Sequence, residues 1–197
     1  MKPLIILASA STRRSRILAE CGIAHKIVVS HAAEIMDSSK SPTYNALFNA
    51  CLKARTVARR TKKGFIIGAD TVVLSGKNLI GKPRSKAQAR RLLMEFSGRT
   101  ISVYTGLCVI NAVTGQEVKS VAVSQVKVKK ITARMAGRFI KVAGPVDKAG
   151  GFSIEGPGSF IFDDVRGSFY NILGLPMIEL YRLFEELGID LLEYCRA

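Results

Sequence analysis

The chain has no tryptophan, only two histidines and four cysteines, and half as many acidic as basic residues. Each scarcity excludes something. Cys21, Cys51, Cys108 and Cys195 are far apart and form no C-x-x-C pair, which argues against a zinc ribbon, a thioredoxin-type centre or a disulfide framework. Cys21 and Cys51 fall in apolar helical patterns, so buried reduced thiols are expected. His25 and His31 have no metal-ligand spacing to any cysteine, and a Ser-His-Asp triad has little to build on. No apolar run approaches the length that spans a bilayer, and Leu4–Ala8 is too short for a secretory signal. A cytoplasmic protein with no membrane partner is expected. Without tryptophan, and with no aromatics interleaved in the basic runs, stacking platforms for single-stranded nucleic acid are not indicated. There is no Walker motif, and Gly156-Pro157-Gly158 lacks the third glycine and the strand-to-helix context of a dinucleotide fingerprint.

What is present is charge of one sign: 30 Lys+Arg against 15 Asp+Glu, a net +15. Such an excess favours polyanions, whether nucleic acid, an anionic surface or a phosphorylated small molecule, and it equally serves solubility. The basic residues are spread over the chain and do not form one tail, which makes a nucleic-acid arm unlike this sequence. A chain of 197 residues, 48% hydrophobic and 23% charged, is that of a globular protein with room for one sizeable core, read here as one domain over 1–197.

The patterning alternates strands and helices. Leu4–Leu7 reads as a buried strand, followed by a Ser-rich turn and a helix ending before Gly22. A short strand at 26–29 precedes a polar loop containing Glu34. Ser41-Pro42 caps and opens a helix to about Arg60, with Leu47, Cys51, Ala54 and Ala58 on its apolar stripe. The adjoining row, Ala46, Ala50, Lys53 and Val57, is interrupted by a lysine that either snorkels to water or points into a cleft. Phe65–Leu74 is extended and hairpins through Ser75–Asn78 to Leu79-Ile80. A capped helix over 85–96, two long strands at 101–110 and 117–130, a helix from Thr132 to Val142, a strand at Phe160–Phe162 and a last helix, Met177–Leu187, complete the reading. The expectation is an α/β fold on a mixed sheet with an antiparallel insertion.

Chemistry gathers at few places. A strand feeding a helix through Ser9-Ala10-Ser11 points N–H groups and the positive helix end at one spot beside Arg13 and Arg14, which suits a polyphosphate; a solvated helix start with surface arginines is the plainer alternative. Asp70 ends the apolar part of a strand, where open α/β sheets place ligands. Its carboxylate can hold Mg²⁺ or take a proton from water, with Glu34 as a second oxygen ligand, while Lys53, Lys82, Arg13 and Arg14 neutralise phosphate oxygens. An aspartate after a strand is also an ordinary cap or turn former.

The order of segments resembles the Maf family, the septum-formation-inhibitor-like nucleotide pyrophosphatases, from about Leu4 to Gly188. The likeness rests on Leu7-Ala8-Ser9-Ala10-Ser11-Thr12-Arg13-Arg14, Gly68-Ala69-Asp70-Thr71-Val72-Val73, Gly81-Lys82-Pro83, Ser97-Gly98-Arg99, Val103-Tyr104-Thr105-Gly106, Asp147-Lys148-Ala149-Gly150 and Gly174-Leu175-Pro176. The resemblance implies a bent mixed sheet flanked by helices, with a central cleft between two lobes, and metal-dependent hydrolysis of nucleoside triphosphates to monophosphate and pyrophosphate. It implies Mg²⁺ or Mn²⁺ as cofactor and is compatible with a homodimer. Carried over, Asp70 matches the catalytic carboxylate and metal ligand, and Glu34 the acidic residue of the metal-side loop. Ser9, Arg14, Lys53 and Lys82 match phosphate-binding positions, and Arg13, Thr71 and Glu155 fall where the family sets substrate preference.

Three departures stand out. Thr12 replaces a common proline, and His31-Ala32-Ala33-Glu34 replaces Asp-x-Asp-Glu, which implies weaker metal affinity. The branch preferring dTTP and UTP is similar to this chain at Arg13 and Thr71 but has Gln where Glu155 stands; the branch preferring 7-methyl-GTP can have Glu there, with Trp and Gln at the other two positions. A Gln amide both donates and accepts, whereas an ionised Glu only accepts, favouring N–H-rich edges such as guanine or cytosine. A dTTP/UTP or modified-nucleotide pyrophosphatase is therefore expected. The alternatives are a 7-methyl-GTP-type enzyme, or a non-catalytic nucleic-acid-binding or division-regulating protein.

Overall fold

The computed structural model describes residues 3–142 and 149–196; Asp147 and Lys148 of the Asp-Lys-Ala-Gly segment lie outside them. Along the chain run β1 (Ile5–Leu7), α1 (Thr12–Glu20), β2 (His25–Ile27), α2 (Pro42–Ala58), β3 (Phe65–Ser75), β4 (Asn78–Ile80), α3 (Lys86–Phe96), β5 (Thr100–Asn111), β6 (Glu117–Val128), α4 (Ala133–Val142), β7 (Phe162–Arg166), α5 (Phe169–Leu173) and α6 (Met177–Glu186). They build the expected mixed α/β architecture around a seven-stranded sheet in the order β2-β1-β3-β5-β6-β7, with β4 hairpinned onto β3.

Two features of this order make a cleft. First, β1 is parallel to both β2 and β3, so the chain leaves its C-terminal end through α1 towards one side of the sheet and returns through α2 on the other. Ligands of open α/β sheets bind in the crevice at such a switch point. Second, β1 pairs with β3 only over Ile5–Leu7 and Phe65–Ile67, while β3 continues for seven more residues along β5. Asp70 and Thr71 therefore lie beyond the end of β1.

Successive residues of β3 point to opposite faces. Phe65, Ile67, Ala69 and Val73 enter the larger core with Leu107, Val109 and the α6 residues Leu180 and Phe184. Ile66 enters a smaller core with Ala50, Ala54 and Cys108 beneath α2. On that face, α2 lies unusually close to the sheet. A Cβ placed on Gly68 would fall 2.2 Å from the Ala50 carbonyl oxygen, and one on Gly106 would fall 2.4 Å from that of Ala46. Both glycines have ordinary φ, so proximity to the helix, and not backbone conformation, requires them. The row Ala46, Ala50, Lys53 and Val57 faces the sheet, while Leu47 and Ala58 sit at its margin. The row interrupted by the lysine is thus the deeper one.

The expected strand at 160–162 is corrected. Gly156–Ile161 forms 3₁₀ turns with Pro157 in the first turn, and the strand begins only at Phe162, where the partner residues Gln125–Val128 of β6 become available. Two short elements add to the expected set, α5 and a 3₁₀ turn at Leu191–Tyr194. Ser168 caps α5 through its side chain and Gly174 ends it with φ 95°. No helix among the described residues is long and apolar enough to cross a membrane.

Gly106→Ala tests the helix–sheet contact. Its methyl must displace backbone, so thermal unfolding should show a loss of about 1–3 kcal/mol, and substrate turnover should fall with it because α2 carries residues of the cleft.

Candidate active site

The switch point opens into a cleft of about 820 Å³ lined by Ser9, Arg13, Arg14, Glu34, Lys53, Asp70, Thr71 and Lys82, among others. Four of these carry positive charge and two negative, a balance suited to an anionic ligand. Eight of the nine residues expected at a site therefore line one cavity. Glu155 does not: it forms an ion pair with the exposed Arg16 of α1, while its neighbour Ile154 faces the cleft.

At the centre, Lys53 is nearly buried, 5% exposed, and reaches across from α2 to β3. Its Nζ lies 2.7 Å from Asp70 Oδ1 and 2.8 Å from Glu34 Oε1, and donates to the Ala69 carbonyl at 3.3 Å. The lysine points into the cleft and does not snorkel outward. The other Asp70 oxygen, Oδ2, accepts from Asn49 Nδ2 at 3.0 Å. A carboxylate at 7% exposure is thus held in one orientation by an ammonium and an amide, both from α2 and one turn apart. Burial pushes the Glu34 carboxyl up, but the hydrogen bond and charge of Lys53, with Lys82 and Arg14, outweigh it and hold Glu34 below the usual carboxylate range.

Glu34 arrives on an irregular loop that is clamped to α2 by two asparagines missing from the expected set. Asn49 accepts from the Ile35 N–H and donates to the Ile35 carbonyl, at 2.9 and 2.8 Å. Asn45, one turn earlier, does the same with Asp37, at 2.7 and 2.9 Å. Each side-chain amide mimics the edge of a strand, satisfying loop groups that α2 would otherwise leave unpaired. The available signal was a pair of asparagines four residues apart inside a helix, where their propensity is poor. His31, in the same loop, takes φ 52°, the left-handed region uncommon for a residue with a side chain.

On the other side of the cleft Arg14 is buried at the start of α1. Its Nε donates to the Gly174 carbonyl at 2.7 Å, Nη1 to Ser9 Oγ at 3.1 Å and Nη2 to Thr71 Oγ1 at 3.1 Å. Burial lowers its pKa and the charges of Asp70 and Glu34 oppose that; a guanidinium remains charged in such a place. The network continues from Thr71 to Thr105 at 3.0 Å and from the Thr105 hydroxyl to the Asn171 carbonyl at 3.0 Å. Because Thr105 donates to that carbonyl, Thr71 donates to Thr105 and accepts from Arg14, so every proton in the chain has one place. Asn171 itself is anchored by donation to Val103 O and Ser124 Oγ. Ser9 also accepts from the Ser11 N–H at 3.2 Å, and Ser11 caps α1. Lys82 is exposed at the cleft's rim, and Arg13 is half-buried beside it.

Comparison with known proteins finds relatives over nearly the whole chain. A dTTP/UTP pyrophosphatase of Caldicellulosiruptor saccharolyticus is 37% identical over 193 residues, covering 96% of this chain and 97% of that protein. One of Desulforamulus reducens is 36% identical, covering 97% of this chain and 100% of that protein. One of Thermococcus kodakarensis is 38% identical, covering 96% and 99%. The family described as Maf-like protein matches residues 4–187, from the start of β1 to the end of α6. This chain, with its clamped carboxylates and arginine-braced helix start at one sheet crevice, belongs to the Maf family.

Proposed function

We propose that the protein is a nucleoside triphosphate pyrophosphatase, hydrolysing the α–β anhydride to release nucleoside monophosphate and pyrophosphate. The observation that carries this is Asp70, oriented from both oxygens by Lys53 and Asn49 at the floor of a cleft whose charged lining is mostly cationic. Such an arrangement does two things for phosphoryl chemistry. It offers one fixed carboxylate to take a proton from water, and it surrounds the phosphates with preorganised positive charge. Arg14 is already immobilised by Ser9, Thr71 and Gly174, so a phosphate meets it without ordering its side chain. Lys82, at the rim, and Arg13 add positive charge for the triphosphate.

The donor set fits a divalent metal of the hard class. Glu34 and Asp70 converge from two elements on one cation, the Lys53 ammonium, and offer only oxygen. Glu34 and Asp70 would hold Mg²⁺ or Mn²⁺ there, and the ion would supply Lewis-acid charge to the substrate phosphates. The His31–Glu34 segment brings one carboxylate to the cleft, because His31, Ala32 and Ala33 bring none.

The curated relatives act on dTTP and UTP by name, and Arg13 and Thr71 both line the cleft, which supports a pyrimidine substrate. Glu155 favours a second reading, an N–H-rich base edge, since its carboxylate accepts only. Its ion pair with Arg16 of α1 offsets that charge, and the carboxylate lies outside the cleft lining. Pyrophosphate release measured with Mg²⁺ or Mn²⁺ across dTTP, UTP, CTP, GTP and 7-methyl-GTP tests both readings. Failure to release it from any nucleotide favours a non-catalytic protein.

Asp70→Asn should lower kcat by about 10²–10⁴-fold with the fold retained by circular dichroism, because the amide neither takes a proton nor carries charge. Wild-type turnover would reduce Asp70 to a structural residue. Lys53→Met should cost about 3 kcal/mol of stability, since it leaves buried Asp70 without its ammonium, and should weaken triphosphate turnover. It also removes the partner that depresses Glu34. A depressed carboxylate keeps its charge until the pH falls through its folded-state pKa, so raising that pKa moves the acid limb of the pH–rate profile to higher pH. Glu155→Gln should raise kcat/KM for dTTP and UTP relative to guanine and cytosine nucleotides, by at most about one to two decades. A uniform change over all bases would assign Glu155 to phosphate or metal, and no change would remove it from recognition.

A further inference from the structure

Cys51 and Cys108 are two of the buried reactive groups that the cleft chemistry leaves unused. They lie on the flank of α2 away from Asp70. Cys51 follows Asn49 by two residues, about 200° around the helix, so one helix presents Asn49 and Lys53 to the cleft and Cys51 and Arg55 to the other side. Cys108 sits on β5 opposite Lys119 of β6, on the face that α2 covers, and Glu117 enters from β6 two pairs further on, opposite Ile110. The thiols of Cys51 and Cys108 and a Glu117 carboxylate oxygen all lie within 4.8 Å of one another. Both cysteines are free and buried, at 4% and 0% exposure, while the Glu117 side chain is 21% exposed and leaves a way in.

We propose that Cys51, Cys108 and Glu117 form a binding site for a thiophilic divalent cation of the Zn²⁺ class, distinct from the nucleotide cleft. Two sulfurs and one oxygen with a fourth, solvent position match the tetrahedral preference of such an ion. Around a tetrahedral zinc two sulfurs stand roughly 3.8 Å apart and a sulfur and an oxygen roughly 3.5 Å, so the three groups need to close by at most about 1.3 Å. The surroundings carry the features of a finished site. Arg55 grips Glu117 with Nε and Nη2 at 2.7 and 2.6 Å, orienting the carboxylate while leaving lone pairs on both oxygens. Two thiolates and a carboxylate bring three negative charges, which a divalent ion and Arg55 together neutralise. Binding therefore releases two protons, forms two metal–sulfur bonds, and clips α2 to β5 and β6 on the side opposite the substrate.

Cobalt(II) is the probe, because thiolate ligation gives an intense near-ultraviolet charge-transfer absorption that oxygen ligands such as Glu34 and Asp70 do not. The full chain is used reduced, with Cys21→Ala and Cys195→Ala removing the other thiols. One equivalent of Co²⁺ should develop the band, Zn²⁺ should abolish it by displacement, and Zn²⁺ should raise the melting temperature. Cys51→Ala with Cys108→Ala should lose the band and the thermal shift, and Glu117→Gln, which spares the apolar core, should weaken Co²⁺ affinity about tenfold or more. No band from the folded reduced protein, a band that survives loss of both cysteines, or unchanged affinity in Glu117→Gln would overturn the assignment. A Cys51–Cys108 disulfide formed in air, with no band after reduction, would overturn it in favour of a redox pair.

Discussion

The backbone-to-backbone contact of α2 with β3 and β5 is the constraint on which the cleft depends. Gly68 and Gly106 carry no side chain where Ala50 and Ala46 present their carbonyls, so the helix axis settles closer to the sheet than two layers of ordinary side chains allow. At that distance a lysine on the helix reaches a carboxylate on the strand with a direct 2.7 Å contact, and an asparagine one turn earlier reaches its other oxygen. A methyl group at either glycine lifts the helix, and the lysine, the two clamping asparagines and the loop bearing Glu34 lift with it. Packing in this protein is therefore also site geometry.

The electrostatics follow from the same closeness. Burying Asp70 or Lys53 alone would carry a heavy desolvation cost, and the pair is tolerated because each satisfies the other and Asn49 and the Ala69 carbonyl take up further hydrogen-bonding capacity. On the facing side, Arg14 is held by three donors to fixed acceptors and by a relay of hydroxyls ending on a backbone carbonyl. Neither arrangement improves stability over a well-packed apolar core. Both hold charge still in a partly dry cavity, which is what differential stabilisation of a phosphoryl transition state requires.

The two flanks of α2 divide the labour. One presents amide and ammonium groups to the cleft, and the other presents a thiol and a guanidinium to Cys108 of β5 and Glu117 of β6. A cation held on the second flank would stiffen the helix that positions the first, without touching substrate. Most of the overall +15 charge lies outside both arrangements, being spread along the chain, and bears on association with anionic ligands more than on the fold.

The sequence by itself determined the alternation of elements, because each signal is local: Ser41-Pro42 opening α2, Ser85 and Gln88 framing α3, and period-two runs in β5 and β6 are read within a few residues. Ordered motifs also singled out Asp70, Lys53, Arg14, Glu34, Ser9, Thr71, Arg13 and Lys82, which the fold gathers into one cavity. Local signals failed where pairing decides. Phe160 and Ile161 have the composition of a strand, yet β6 offers partners only from Phe162 onward, and Pro157 favours a tight turn before it. Asn45 and Asn49 read as poor helix formers, and only the approach of the loop at Ile35 and Asp37 turns them into clamps. Glu155 was placed by motif order alone, and its ion pair to Arg16, 139 residues away, belongs to the tertiary structure. The same holds for Cys51, Cys108 and Glu117: their spacing in the chain resembles no metal motif, and they meet because a helix, a strand and its hairpin partner share one face of the sheet. Contacts between distant segments are set by how layers stack, a property no short window of sequence contains.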